Sequence, residues 1–475
     1  MSDTRPAMNI GTRRLFPLPA LALLALLSGC AVGPDYRRPA VDTPAAYKEA
    51  EGWKSAQPRD EAARGKWWQV YGDPELNALV EQVQVSNQNV IAAAAQVRQA
   101  QALLGVARAG YFPTLSGDLS ASRGSAAGAS AVGNTDRLSL SAAWEADVWG
   151  RIGRTVEANR AQVQASAADL RAALLSAQAT LVQSYLQLRV NDAERRLLDQ
   201  TIAAYRRSLA ITRNRYAAGV AGRSDVAQAE TQLRSTQAQA IDLGVARAQL
   251  EHAIATLDGR PPADFRLPPS DAIPSLPTIP AGLPSALLER RPDIAAAERR
   301  VAAANAQIGV AQAAFFPAFS FSASGGYQNS SLSQLTALPN RFWSLGPALA
   351  ASLFDAGARS AQKAQAIAAY DQSVAGYRQT VLSAFQEVED NLAALRILAD
   401  EAEAQRAARA SAAEALQLTD NQYQAGTVSY LNVVTAQAAA LGADRASLAI
   451  AGSRLAASVS LQKALGGDWR GGEGK

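Results

Sequence analysis

Residues 89–113, NVIAAAAQVRQAQALLGVARAGYFP, and residues 293–317, DIAAAERRVAAANAQIGVAQAAFFP, are one segment written twice, 204 positions apart. Each is an Ala-rich helical run that must stop at its Phe-Pro, because the residue before a proline is pushed toward extended geometry. Two more anchors follow in the same order. WEADVWGR at 144–151 matches SLFDAGAR at 352–359, and YAAGVAGRSDV at 216–226 matches YQAGTVSYLNV at 423–433, the last at an offset of 207. Ordered anchors with drifting offsets mean a tandem duplication of about 200 residues, too long a period for a solenoid. Each half must build the same elements.

Past each Phe-Pro the hydrophobic period changes to two. Leu115, Gly117, Leu119 and Ala121 alternate with Ser116, Asp118, Ser120 and Ser122. Leu138, Leu140, Ala142 and Trp144 alternate with Ser139, Ser141, Ala143 and Glu145. Phe319, Phe321, Ala323 and Gly325 alternate with small polar residues, and Trp343, Leu345, Pro347, Leu349 and Leu353 make a fourth run. Two hairpins are predicted, about 113–148 and 317–354. Their runs of about ten residues suit outer-membrane strands, and aromatics such as Tyr111, Trp149, Phe316 and Phe354 gather at their ends. Soluble half-buried hairpins share this pattern; the leader described below and the repeat favour the membrane. Four strands cannot close a membrane barrel, and an open edge in lipid leaves backbone groups unsatisfied at a cost of several kcal/mol each. Strands that span must therefore be closed jointly by several subunits. Spacing alone does not choose three copies over two.

After each hairpin the helices are long. From Arg154 to Arg215 no Pro or Gly interrupts the chain, which at full helix length reaches roughly 90 Å. Val156, Val163, Leu170 and Ala177 recur every seven residues, with Leu174, Leu181 and Leu188 as companions, and Val434, Leu441, Leu448 and Leu455 do so in the final helix. That is coiled-coil-like packing. Each helical hairpin turns at a Gly-bearing loop, with Asp225 and Asn432 near the start of the returning helix. Between the halves, Gly259 to Pro292 is too Pro-rich for a long helix.

The N-terminus is a targeting segment. Arg5, Arg13 and Arg14 precede a short apolar run, Leu15 to Leu27, that ends in Leu27-Ser28-Gly29-Cys30. This resembles a bacterial lipobox, in which the Cys is acylated and becomes the new N-terminus; the alternatives are an ordinary secretory signal with an incidental Cys and a membrane anchor that is never cleaved. The run is shorter than the ~20 residues of a spanning helix, and Cys30 is the only Cys in the chain. Ala31 in place of Asp favours the outer membrane.

Composition narrows the chemistry. The 475 residues carry a net charge of +4, and 48% are apolar, largely through Ala. Removing 1–29 takes away three Arg and one Asp, leaving +2. No basic stripe with interleaved aromatics supports nucleic-acid binding. One Cys and one His leave no disulfide framework and no His-pair or multi-Cys metal motif. His252 reads as a surface residue, and no phosphate loop or nucleophile motif occurs. No catalytic residue, metal ligand or cofactor is expected beyond the acyl chains on Cys30.

These features resemble the TolC-like outer-membrane efflux factors, specifically the lipoprotein branch called the NodT family. The most specific segments are Cys30-Ala31-Val32-Gly33-Pro34-Asp35-Tyr36, Trp67-Trp68 with Asp73-Pro74, and Gly282-Leu283-Pro284-Ser285 through Leu288-Glu289-Arg290-Arg291-Pro292-Asp293-Ile294. The resemblance implies an α+β membrane protein: a homotrimer whose twelve-stranded β-barrel continues into a long periplasmic α-helical barrel with a mixed equatorial collar. It implies a passive exit duct docked through a periplasmic adaptor to an inner-membrane RND pump. The corresponding organisation is signal peptide 1–29, lipidated segment and collar 30–75, first repeat 76–258, linker 259–291, second repeat 292–465 and tail 466–475. Helix tips and adaptor docking fall on Tyr216, Gly219, Gly222, Asp225, Tyr423 and Gly426, and the periplasmic aperture on Leu431 and Thr435. Several members of that family carry Asp where Thr435 stands, so the acidic ring they form is not expected here. An outer-membrane component of type I protein secretion shares the architecture, and a lipid-anchored coiled-coil protein without a pore would share the heptads; a periplasmic hydrolase is more remote.

Overall fold

The computed structural model describes residues 31–50, 66–125, 132–270, 272–277, 279 and 290–467. The leader 1–29, the acylation candidate Cys30, the whole of the Gly282–Glu289 run and the tail beyond Gly467 lie outside the described residues. Asp73 opens the first long element: its carboxylate accepts the backbone N–H groups of Glu75 and Leu76, with Pro74 at the first helical position. The helix α1 (Pro74–Ser86) stops where Asn87 turns extended, and the Asn87 side chain then accepts from Asn89 and Val90 to start α2 (Gln88–Ala109). A tight turn at 110–112 follows, so α2 ends before the Phe-Pro rather than at it.

Strands β1 (Thr114–Gly124) and β2 (Gly133–Ala146) form the first hairpin, and β3 (Ala318–Asn329) and β4 (Arg341–Ala350) the second. All pair antiparallel in one sheet of order β1-β2-β3-β4. The fourth run is shorter than expected: β4 ends at Ala350, and Leu353 lies beyond it, 95% exposed. Asp147 caps α3 (Arg151–Ala217) by accepting from Ile152 and Gly153, and Asp355 accepts from Gly357 and Arg359 at the start of α6 (Ala358–Gln424). The matched WEADVWGR and SLFDAGAR segments are thus strand-to-helix junctions. The remaining helices are α4 (Arg223–Leu257), α5 (Pro292–Ala313) and α7 (Tyr430–Ala464). Lengths agree between halves: 22 residues each for α2 and α5, 67 for α3 and α6, 35 for α4 and α7.

The chain divides into two compact units. One comprises 1–37, 102–161 and 302–371, and holds the sheet. The other comprises 38–101, 162–301 and 372–475. In the second unit a core gathers Trp67, Trp68 and Tyr71 with Leu76, Val80, Leu181, Tyr185, Leu188, Ile254 and Val459. The heptad series is therefore only partly buried: Leu181, Leu188 and Leu455 are core, but Leu170, Ala177 and Leu448 are half-exposed. The Pro-rich segment is fastened to this core by side chains of α3 and α4. Arg189 donates to the Pro268 carbonyl at 2.9 Å, Arg247 to the Leu267 carbonyl at 2.6 Å, and Glu251 accepts the Leu267 N–H at 2.6 Å. Arg189 is also paired with Glu75 and Asp192, and Asp192 with Arg247 at 2.8 Å, so the buried charges are mutually compensated.

Candidate functional site

Two regions carry the expected functional residues, one in each unit. In the first, the pairing register sorts the sheet into two faces. Leu115, Ala142, Ala323 and Leu345 share one row on the apolar face; the next row holds Gly117, Leu140, Gly325 and Trp343. Leu115, Leu140, Trp343, Leu345 and Leu349 on that face are all exposed. On the opposite face Ser116, Ser141, Ser324 and Ser344 form a row of four hydroxyls. A greasy exposed face backed by a hydroxyl face has no core to bury in water; lipid on one side and water on the other satisfy both. Among the described residues β1 and β4 each pair along one edge only. Trp149 and Phe316 stack at 4.7 Å near the hairpin bases, and Trp144 stacks on Phe321 at 5.6 Å.

The segment that follows Cys30 is tied to the same unit. Val32 donates its N–H to the Trp149 carbonyl at 3.1 Å. Arg154, buried in α3, donates to the carbonyls of Val32 and Gly33 and to the Asp35 carboxylate, and Asn305 of α5 donates to the Pro34 carbonyl. Ala31 to Asp35 is thus strapped beside the start of α3. Sequence reasoning quoted this run but did not foresee Arg154, whose role depends on residues over a hundred positions away.

In the second unit lie the two helical-hairpin turns. Gly219 and Gly426 both adopt φ +77°, a left-handed conformation that lets each long helix end and reverse. Asp225 accepts the Gly222 N–H and so closes the start of α4; Asn432 has no such role, since Ser429 occupies the N-cap of α7. The matched tyrosines part ways. Tyr216 is 45% exposed, whereas Tyr423 is 5% exposed, covered by the Tyr430 ring at 5.2 Å and by the Arg215 guanidinium 4.7 Å above it. Arg215 also donates to the Tyr423 and Gln424 carbonyls at 3.0 and 3.2 Å, meeting the C-terminal end of α6 with positive charge. Around them Leu198, Ile202, Tyr205, Leu209, Leu233 and Val433 make a second core. Ser208 hydrogen-bonds Tyr430 at 3.1 Å, and burial raises the Tyr205 and Tyr430 phenols above their ordinary range, keeping both neutral.

Leu431 follows Tyr430 yet is 55% exposed, and Thr435 one turn on is also exposed, its hydroxyl donating to the Leu431 carbonyl at 3.0 Å. The structure thus brings Tyr423 into a packed tip, leaves Tyr216, Leu431 and Thr435 at the surface, and adds Arg215, Tyr205 and Tyr430. Arg215 was detectable as a difference between the repeats, since its counterpart 207 positions on is Gln422.

A family model, Outer membrane efflux protein, matches residues 79–260 and 283–467. The toluene efflux pump outer membrane protein TtgC of Pseudomonas putida is 31% identical over 467 residues, 96% of either chain. The cation efflux system protein CusC of Escherichia coli is 32% identical over 460 residues, 95% of this chain and 98% of its own. Among solved structures, the outer-membrane channel OprN matches with a TM-score of 0.86 at 31% identity, over 92% of this chain and 99% of that one. With its two-faced sheet, paired long helices and a family match through both halves, the chain belongs to the outer membrane efflux proteins.

Proposed function

We propose that the protein is the outer-membrane exit duct of a tripartite efflux system, a homotrimer that conducts small molecules passively from periplasm to exterior. The observation that carries this is the sheet: an exposed apolar face, a hydroxyl-lined face and two unpaired edges, β1 and β4, among the described residues. In lipid those edges must be paired. Three copies joined β4 to β1 close a twelve-stranded barrel with its serine rows inside. The equal helix lengths in the two halves support a tandem duplication, which lets four long helices per copy continue the barrel as a helical tube. Cys30 carries the acyl chains, and the residues that follow it, Val32 to Asp35, are tied within the sheet-bearing unit.

The hairpin turns form the gate and the docking surface for a periplasmic adaptor, which links the duct to an inner-membrane RND pump. Leu431 is the apolar constriction: a ring of exposed leucines excludes hydrated ions by dewetting. Thr435 adds no charge, which leaves substrate choice to the pump. The two turns are unlike in charge. Arg206, Arg207, Arg213, Arg223 and Arg234 are exposed around the first, while the second has Glu414 and Asp420 and no Lys or Arg between Arg409 and Arg445. An adaptor therefore meets two chemically distinct sites. Native mass spectrometry in detergent, paired with planar-bilayer recording, tests the reading. Three chains with conductance are expected; two chains remove the trimer alone, and a stable monomer with an intact β signal removes the membrane sheet.

A further inference from the structure

The polar face of the sheet carries an aromatic ring, Phe342 of β4, and a cation, Arg137 of β2, and the two touch: the guanidinium carbon lies 4.6 Å from the ring centroid. Strand β3 runs between them. The path across it is open because the position opposite Ser139 and Phe342 is Gly326. A Cβ there would fall 2.0 Å from the Leu138 carbonyl oxygen, so no side chain fits and Arg137 lies across the gap. Among the described residues no oxygen accepts a hydrogen bond from the guanidinium, and its Nε is buried without a partner. The other charges on this face among the described residues are two carboxylates, Asp118 close to Arg137 and Glu145 four rows away along β2. Glu145 is held by Arg151 at 2.7 Å, and Asp118 sits exposed one row from Arg137.

An arginine whose guanidinium lies over an aromatic ring keeps its terminal N–H groups available, and that pair matches a carboxylate. Stacking also removes rotamer freedom in advance, so less entropy is lost when an anion arrives. We propose that Arg137, held against Phe342, is an anion-binding site on the water-filled face of the barrel that receives the carboxylate of solutes on their way out. The site rests on the exit-duct reading, since only closure of the barrel puts the serine face in water. Three copies give a ring of three such sites, with a ring of Asp118 one row away as its electrostatic opposite. Carboxylate-bearing exports are drawn to the mouth by this ring, and Asp118 prevents their being held.

The test is planar-bilayer recording of the full-length protein under a KCl gradient, with benzoate as the carboxylate probe. Arg137→Gln should lower the chloride-to-potassium permeability ratio about two- to fivefold, the size of one screened charge per subunit at a few ångströms, and abolish benzoate block. Arg137→Lys should keep the ion preference but weaken the block, because an ammonium lacks that pair. Asp118→Asn should shift the ratio the opposite way. Arg137→Cys, treated with a cationic methanethiosulfonate, should regain the parental ratio, and an anionic reagent should push it further toward cations. An Arg137→Gln protein with the parental ratio and block overturns the site. So does a residue 137 thiol that no aqueous reagent reaches. A protein that does not conduct even with the Leu431→Ser substitution overturns the exit-duct reading itself, and the site with it.

Discussion

Removing the Arg215 side chain isolates a polar contact that joins the end of α3 to the end of α6. Arg215 donates to the Tyr423 and Gln424 carbonyls at 3.0 and 3.2 Å and stacks over the Tyr423 ring at 4.7 Å. Hydrogen bonds from a charged donor contribute about 1.5 kcal/mol or more each, and a half-exposed cation–ring contact about 0.5–1 kcal/mol. Solvent screening at the tip discounts that sum, so Arg215→Ala should weaken closure of the tip by about 2 kcal/mol. Local opening scales with that loss, and 1.4 kcal/mol is a factor of ten. Amides of 423–430 should exchange roughly 30-fold faster in hydrogen-exchange mass spectrometry, while those around Leu181 and Leu188, in the other core of that unit, keep their parental rates. Conductance should rise in parallel, since the same contact keeps the second turn closed. Arg215→Lys should fall between, because it retains the charge near the helix end without the planar stack. Exchange at 423–430 within about twofold of the parent would show that Arg215 does not hold the tip.

Leu431→Ser should raise single-channel conductance and Thr435→Asp should shift selectivity toward cations; if both variants behave as the parent in a bilayer, the constriction lies elsewhere. Intact-mass analysis of membrane-extracted protein should show cleavage after Gly29 and an acyl increment on Cys30, and Arg154→Ala should lower the melting temperature by removing the hydrogen bonds to Val32, Gly33 and Asp35. Asp258 is fully buried, and burial raises its carboxyl above the ordinary value, with Arg260 only partly offsetting this. Below the ordinary carboxylate range both folded and unfolded forms are protonated and the group is neutral in effect; as pH rises, the unfolded chain ionises first and stability falls. Asp258→Asn should therefore melt higher than the parent at pH 7, with the difference closing below about pH 4; a lower melting temperature at pH 7 would mean the ion pair with Arg260 at 2.9 Å outweighs the cost of burial.

The element order was legible in the residues alone, because its signals are local and periodic. Pro stops a helix through contacts with its own neighbour, alternation of two marks a strand, and Gly marks a left-handed turn, so 113, 117–121 and 219 could be read in isolation. The repeat doubled every such signal, and the family-specific segments carried the kinship. What the sequence left open were facts that depend on which residues meet across the chain. Tyr216 and Tyr423 occupy matched positions, yet one faces solvent and the other is enclosed, because only the second has Arg215 and Tyr430 to cover it. The heptad pattern named positions facing a partner helix but could not say how deeply each would be buried; Leu181 is fully buried in a core that also holds Trp67, Tyr71 and Leu76 from distant segments, while Leu448 is half-exposed. Arg154, Arg189 and Arg137 looked alike in the sequence, three interspersed arginines. Only tertiary structure made the first a strap for the N-terminal segment, the second a fastening for the Pro-rich segment, and the third a cation stacked on a ring amid a face of hydroxyls, because a charged side chain takes its role from the partners that folding brings within reach.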